Sequence, residues 1–211
     1  LSNQSFPRSA PANLTYGMQY QTAGNLFIRF KGQEQATNYR RDLDISKALA
    51  SVTYRSKGVN FRREYLTSLS DQVLLIRLTA DKPGSISFTL GMNSPFNQYH
   101  VQTQNGKLLL SGLSGSVDNK KGKVRYQVQL QSKTEGGKVV STDSTIQVSN
   151  ANSATLYISI GTNYINYKDI SGNEVEKAAG YLNNALKKNY DAIKTAHIKT
   201  YKKYFDRVSL D

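Results

Sequence analysis

Val124-Arg125-Tyr126-Gln127-Val128-Gln129-Leu130 alternates apolar and polar side chains with a period of two. Such a stretch reads as a β-strand that turns one face to a core. The same rhythm returns in Ile86, Phe88, Leu90 and Met92, which alternate with Ser85, Ser87, Thr89 and Gly91. Near residue 170 the period changes once. From about Glu174 the apolar residues fall at helical spacing and continue so to Asp211. Strands without intervening helices exclude βαβ units, so the fold class is mainly β: an antiparallel β-sandwich followed by two C-terminal α-helices. The pattern divides the chain into a β-sandwich domain over 1–168 and a helical segment over 169–211.

Further strands are expected at 25–30, 50–54, 59–66, 72–80, 107–110, 124–131, 145–148 and 154–160, about nine or ten in all. The segments 50–54 and 59–66 flank Arg55-Ser56-Lys57-Gly58 and read as a hairpin. In the second arm Val59, Phe61, Arg63 and Tyr65 share one face, and Asn60, Arg62 and Glu64 the other. Val73-Leu74-Leu75-Ile76 is apolar on both faces, which suits a central strand. Pro83-Gly84 is placed for a type II turn. Gly136-Gly137 and the segment Ser149 to Asn152 separate the last strands.

Ser171 and Glu174 have capping-box spacing, with Ser171 as N-cap and Glu174 at N3. Val175, Ala178, Ala179, Leu182 and Leu186 then form one stripe. Asn189 breaks and re-caps the helix. A second helix carries Ile193, Ala196, Thr200, Tyr204 and Val208, flanked by Tyr201 and Phe205. Aromatic content this heavy calls for a partner surface.

Composition narrows the function classes. The chain has 211 residues, 38% apolar and 20% charged, as ordinary soluble domains have. Its net charge of +13 is spread along the chain in pairs such as Arg40-Arg41, Arg62-Arg63, Lys187-Lys188 and Lys202-Lys203. Nucleic-acid binding prefers a basic stripe with exposed aromatics, so the pairs read as solvated surface. No apolar run approaches the roughly 20 residues of a membrane span. The chain begins with Leu1, and residues 2–12 have no apolar h-region, so a signal peptide is expected to lie outside it. Zero cysteines exclude disulfides and thiolate metal ligands. The polar residues 1–15, with Pro7 and Pro11, read as a loosely held opening segment.

Three sets of residues are candidates for chemistry. Asp42 and Asp44 share a strand face, with Glu64, Arg40, Arg41, Arg62 and Arg63 in the neighbourhood. A glycosidic acid–base pair needs carboxyls roughly 6.5–9.5 Å apart, one of them with a raised pKa. Surrounding arginines act the other way, so these residues read as a cross-strand charge ladder. His100 on a loop and His197 on a helix do not make a metal site. Phe96, Tyr99, Tyr164 and Tyr167 fall where loops are expected. There they would face a sugar ring or, by preference, a domain interface. The expected assignment is therefore no catalytic residue, no metal site and no cofactor. Sequons at Asn3-Gln4-Ser5 and Asn13-Leu14-Thr15 carry no weight.

An ordered set of motifs adds a resemblance. Tyr39-Arg40-Arg41-Asp42-Leu43-Asp44-Ile45 is followed by Val52-Thr53-Tyr54, Phe61-Arg62-Arg63-Glu64 and the stretch from Asp71 to Thr79. Upstream stands Tyr20-Gln21-Thr22-Ala23-Gly24-Asn25-Leu26; downstream stand the stretch from Asp81 to Phe88 and Asn93-Ser94-Pro95. Ala196, His197, Tyr201, Phe205 and Arg207-Val208-Ser209-Leu210 close the set. Over residues ~16–211 this resembles the N-terminal β domain and helical linker of family 95 glycoside hydrolases, the inverting α-L-fucosidases and their α-L-galactosidase relatives.

The resemblance implies a sandwich of the supersandwich type. It also implies a helical (α/α)6 catalytic barrel beyond Asp211, fucosylated or galactosylated glycans as substrates of the parent enzyme, and a secreted or periplasmic bacterial location. No residue here matches that family's catalytic groups. Its Leu-Gly-Asn-Gly opening and Leu-Trp-Ser-Gly stretch are absent, so an unpaired sheet edge, open to self-association, is expected. A stand-alone carbohydrate-binding or adhesion module is the alternative.

Overall fold

The computed structural model describes residues 21–33, 35–116 and 120–209. The opening segment 1–15, both sequons, Tyr20 and Leu210 lie outside them. Twelve strands are described: β1 (Asn25–Arg29), β2 (Thr37–Asp44), β3 (Leu49–Ser56), β4 (Val59–Ser68), β5 (Val73–Ala80), β6 (Ile86–Asn93), β7 (Tyr99–Gln104), β8 (Lys107–Leu113), β9 (Arg125–Glu135), β10 (Lys138–Ser141), β11 (Ile146–Ala151) and β12 (Ser153–Thr162). Two helices follow, α1 (Glu174–Leu186) and α2 (Tyr190–Phe205).

A four-stranded sheet, β1-β6-β11-β10, faces an eight-stranded one, β2-β3-β4-β5-β12-β9-β8-β7, and every pairing is antiparallel. The mainly β sandwich with two C-terminal helices is thus the fold. The crossings from β9 to β10 and from β11 to β12 change sheets, and the Asn152 amide, which donates to the Glu135 carbonyl at 2.8 Å, ties them together.

Alternation explains the layers. On β5, Ile76 and Leu78 face the small sheet, while Val73 and Leu75 face the helices, all of them buried. A central strand covered on both sides reads as an unbroken apolar run for this reason. Between the sheets lie Phe88, Leu90, Leu108, Leu130, Ile146 and Leu156. Under the helices Leu66, Leu75 and Tyr157 meet Leu182, Ala185 and Ile193. Each fully buried leucine or isoleucine contributes about 1.5–3 kcal/mol.

Several expectations need correction. Tyr99 and His100 sit on β7, not on a loop. The signal was Asn105-Gly106, both at positive φ (51° and 71°), which closes the β7–β8 hairpin in the two-residue geometry that Asn-Gly favours. β10 also lacked an expectation, because four exposed residues carry too short a pattern.

The cap of α1 is Asn173, whose side chain accepts from the amides of Val175 and Glu176; Ser171 instead donates its amide to Asp169 Oδ1 at 2.8 Å. The buried face of α1 is Ala178, Leu182 and Ala185, and Val175 is exposed. On α2 the buried face is Tyr190, Ile193 and His197, rotated away from Tyr204, which is exposed. The helix ends at Phe205 with Asp206 as its C-cap, so the expected helical run stops short of Val208, which is exposed beyond it. Asn189 does cap α2, accepting from the Ala192 amide at 2.8 Å. Among the described residues no helix is long and apolar enough to cross a membrane.

Candidate functional site

Two places gather residues of chemical interest. The first is a shallow depression between α2 and the helix-facing side of β2–β4, lined by Asp42, Asp44, Lys47, Arg62, Glu64 and Lys194. Strand alternation puts Asp42 and Asp44 on that side, and the β3–β4 register adds Glu64 beside Ser51. The three carboxylates therefore do converge on one surface.

Each has a cation as partner. Arg40 meets Asp42 at 2.8 Å, Lys47 meets Asp44 at 2.6 Å, and Glu64 takes both Lys194 at 2.9 Å and Arg62 at 3.2 Å. The hydrogen bond from Lys47, followed by that from Ser46, holds the Asp44 carboxyl down at about 2. Burial pushes Glu64 up, but hydrogen bonds and charge from Lys194 and Arg62 outweigh it and leave the group below the ordinary carboxylate range. Asp44 and Glu64 therefore stay ionised at neutral pH and hold no proton to give. A general acid needs the opposite environment, apolar and without cations.

His197 is 2% exposed and belongs to the same helix interface. Its Nε2 lies 3.1 Å from the Lys47 carbonyl and 3.3 Å from that of Ala48. Two acceptors at one ring nitrogen require that nitrogen to carry the proton. Tyr201 stacks beside it and donates to the Ile45 carbonyl at 2.8 Å. His197 thus clamps α2 to the β2–β3 turn. His100 is exposed on β7, far from it in sequence and on the opposite edge strand of the sheet. Among the described residues no three His, Asp or Glu side chains gather as a metal site would require.

The second place is the end of the sandwich where β8, β9 and β12 meet. Asn163, fully buried, organises it. Its side-chain oxygen accepts from the Arg125 amide at 2.9 Å, and its side-chain nitrogen donates to the carbonyls of Ile170 at 2.8 Å and Lys123 at 3.4 Å. Its backbone carbonyl accepts from Gly172 at 3.0 Å. The loop 163–173 is thereby strapped down, yet it presents Tyr164 (45% exposed), Ile165 and Tyr167 (82%) outward. Phe96, by contrast, turns in and meets Tyr126 edge-on at 6.3 Å, while the Tyr126 hydroxyl shares a 2.7 Å hydrogen bond with Ser94. Of the four aromatic residues singled out for loops, Tyr164 and Tyr167 stand on one, Phe96 anchors another, and Tyr99 is on a strand. Sequence reasoning missed Asn163, because a single buried asparagine after a strand has no pattern to mark it.

Residues 2–167 match the protein family described as glycosyl hydrolase family 65, N-terminal domain. The chain is 27% identical to Alpha-L-fucosidase 2 of Arabidopsis thaliana, an alignment covering 90% of this chain and 26% of that protein. It is 25% identical to the "Probable alpha-fucosidase A" of Aspergillus niger, covering 92% and 26% respectively. It therefore spans about a quarter of the length of the curated relatives it matches. A solved chain from the human microbiome, assigned as a kojibiose phosphorylase, shares the fold with a TM-score of 0.58 at 11% identity, over 88% of this chain and 28% of its own.

Proposed function

The chain belongs to the family of glycosyl hydrolase family 65 N-terminal domains, and from that premise we propose that it is the N-terminal β domain and helical linker of an α-L-fucosidase-like hydrolase of the family 95 kind. Hydrolysis of terminal α-L-fucosyl linkages by inversion then belongs to a helical barrel elsewhere in the longer protein. This segment is not catalytic. It braces the barrel, with Tyr164, Ile165 and Tyr167 as contact residues.

The observation that carries this reading is the pairing of Asp42, Asp44 and Glu64 with Arg40, Lys47, Arg62 and Lys194, which leaves every carboxylate of the depression engaged by a cation. The similarity to two proteins named as fucosidases supports the substrate class. The test is an assay of the purified chain on fucosyl-α-1,2-galactosides. No turnover is expected. Turnover that is lost in Glu64→Gln or Asp42→Asn would overturn the reading, and retardation by the same glycans in an affinity gel would favour a stand-alone binding module.

A further inference from the structure

β2 is the outermost strand of the large sheet, bordered only by β3 among the described residues, and seven of its eight residues are exposed. The other edge of that sheet is engaged: the Thr103 amide of β7 donates to the Asp143 carbonyl at 2.8 Å, and the Thr103 hydroxyl to the Thr142 carbonyl. An open strand edge presents backbone donors and acceptors to any second strand. Edges are usually blunted by charge, but β2 also exposes two large apolar side chains, Tyr39 (59%) and Leu43 (67%). An irregularity between Thr37 and Arg40, with Asn38 at φ 52°, confines regular pairing with β3 to the stretch from Arg40 onward.

We infer that β2 pairs antiparallel with β2 of a second copy, across a two-fold axis at Arg41, joining the two large sheets into one. The register follows from geometry. Cross-strand partners in an antiparallel pair lie on the same face, so a two-fold axis normal to the sheet must pass through a residue position, not between two.

Centred on Arg41, the pairing sets Arg40 of each copy against Asp42 of the other on the helix-side face. It sets Tyr39 against Leu43 on the opposite face. Centred on Asp42, it would place two aspartates in contact and Leu43 against arginine. Centred on Arg40, it would place two arginines in contact and Tyr39 against a third. Only the first register joins opposite charges and apolar groups together. Its one like pair, Arg41 with Arg41, lies at an exposed position, where long side chains can splay apart. Arg40 and Asp42, now paired within one strand at 2.8 Å, would exchange partners at little cost.

The chain contains no cysteine, so a single introduced thiol reports the register directly. In the full chain, Arg41→Cys is expected to form a disulfide-linked dimer under mild oxidation at least about tenfold faster than Leu43→Cys. The Leu43 positions of the two copies lie four residues apart along the ladder, roughly 13 Å, beyond disulfide reach. In sedimentation velocity, Asp42→Arg is expected to weaken the concentration-dependent dimer about tenfold, and the charge-swapped pair Arg40→Asp with Asp42→Arg to restore it. A chain that remains monomeric throughout, or Leu43→Cys cross-linking as fast as Arg41→Cys, would overturn the inference.

Discussion

Glu64 Oε1 on β4 lies 2.9 Å from Lys194 Nζ on α2, so a carboxylate that sequence places among catalytic candidates fastens a helix to a sheet. Both side chains are about three-quarters or more sheltered from solvent. The pair is worth more than a surface ion pair and less than a fully buried one. Lys194→Met is expected to cost about 1 kcal/mol, or roughly 2–4 °C in Tm for a chain of this size.

The same pair sets an acid dependence. Glu64 and Asp71 both lie below their ordinary values. Burial pushes each up, but Lys194 and Arg62 on Glu64, and Lys188, Ser68 and Ser70 on Asp71, pull further down. A depressed folded value means stability that is present above the unfolded pKa of about 4 and is lost as pH falls through the folded value. Melting curves between pH 7 and pH 3 should show the wild-type advantage over Lys194→Met shrinking below about pH 4. An advantage that grew on acidification would contradict the assignment.

Gly161 on β12 and Gly180 on α1 should respond oppositely to alanine. A Cβ at Gly161 would stand 2.3 Å from the Glu174 carbonyl oxygen and 2.7 Å from the Ala178 amide, so α1 must lift off the sheet. About 1–3 kcal/mol of destabilisation is expected. At Gly180 nothing lies within 4 Å, and alanine should stabilise the helix interior by about 0.5–1 kcal/mol. Chemical denaturation of the two variants side by side checks both signs.

His197→Phe keeps a ring beside Tyr201 but removes the donor to the Lys47 and Ala48 carbonyls. Leaving acceptors unsatisfied at this buried contact should cost about 1–3 kcal/mol. Amide hydrogen exchange should accelerate in α2 and the β2–β3 turn while α1, which packs mainly on β12 and β9, keeps its protection. Uniform acceleration across both helices would mean that they open as one unit.

Asn163→Ala strips three hydrogen bonds from a fully buried position and orphans the Arg125 amide. A loss of about 2–4 kcal/mol is expected. Limited proteolysis should then cut first within 163–173, beside Tyr164 or Tyr167. Protection equal to wild type would show the loop to be held by something other than Asn163.

Much of the sandwich was legible because strand alternation is local: Ile86 to Met92 announces its two faces from neighbours alone. The hairpin at Lys57-Gly58, both at positive φ, and the re-cap at Asn189 were likewise readable from short-range chemistry. The α1 cap shows the limit. Ser171 and Asn173 are both good caps; the helix begins at Glu174, so Asn173 accepts from the Val175 and Glu176 amides, while Ser171 lies in the preceding turn with its amide on Asp169. The buried stripe of α2 was misjudged by about one position, because where a helix docks on a sheet decides which of its apolar faces is covered. Tyr204 is as apolar a choice as Tyr201, but only Tyr201 reaches the Ile45 carbonyl.

By itself the sequence determined the two periodicities, hence strands followed by helices, and the turn residues that punctuate them. It also brought Asp42, Asp44 and Glu64 into one neighbourhood, since β2, β3 and β4 are consecutive. Asp42 and Asp44 found their cations close by in sequence, at Arg40 and Lys47, but the partner that α2 brings to Glu64 was decided only in three dimensions. Lys194 lies 130 residues from Glu64 along the chain, and Lys188 lies 117 from Asp71. Charge interactions fall off with distance in space, not with separation in sequence, so a group's ionisation is a property of the packed fold.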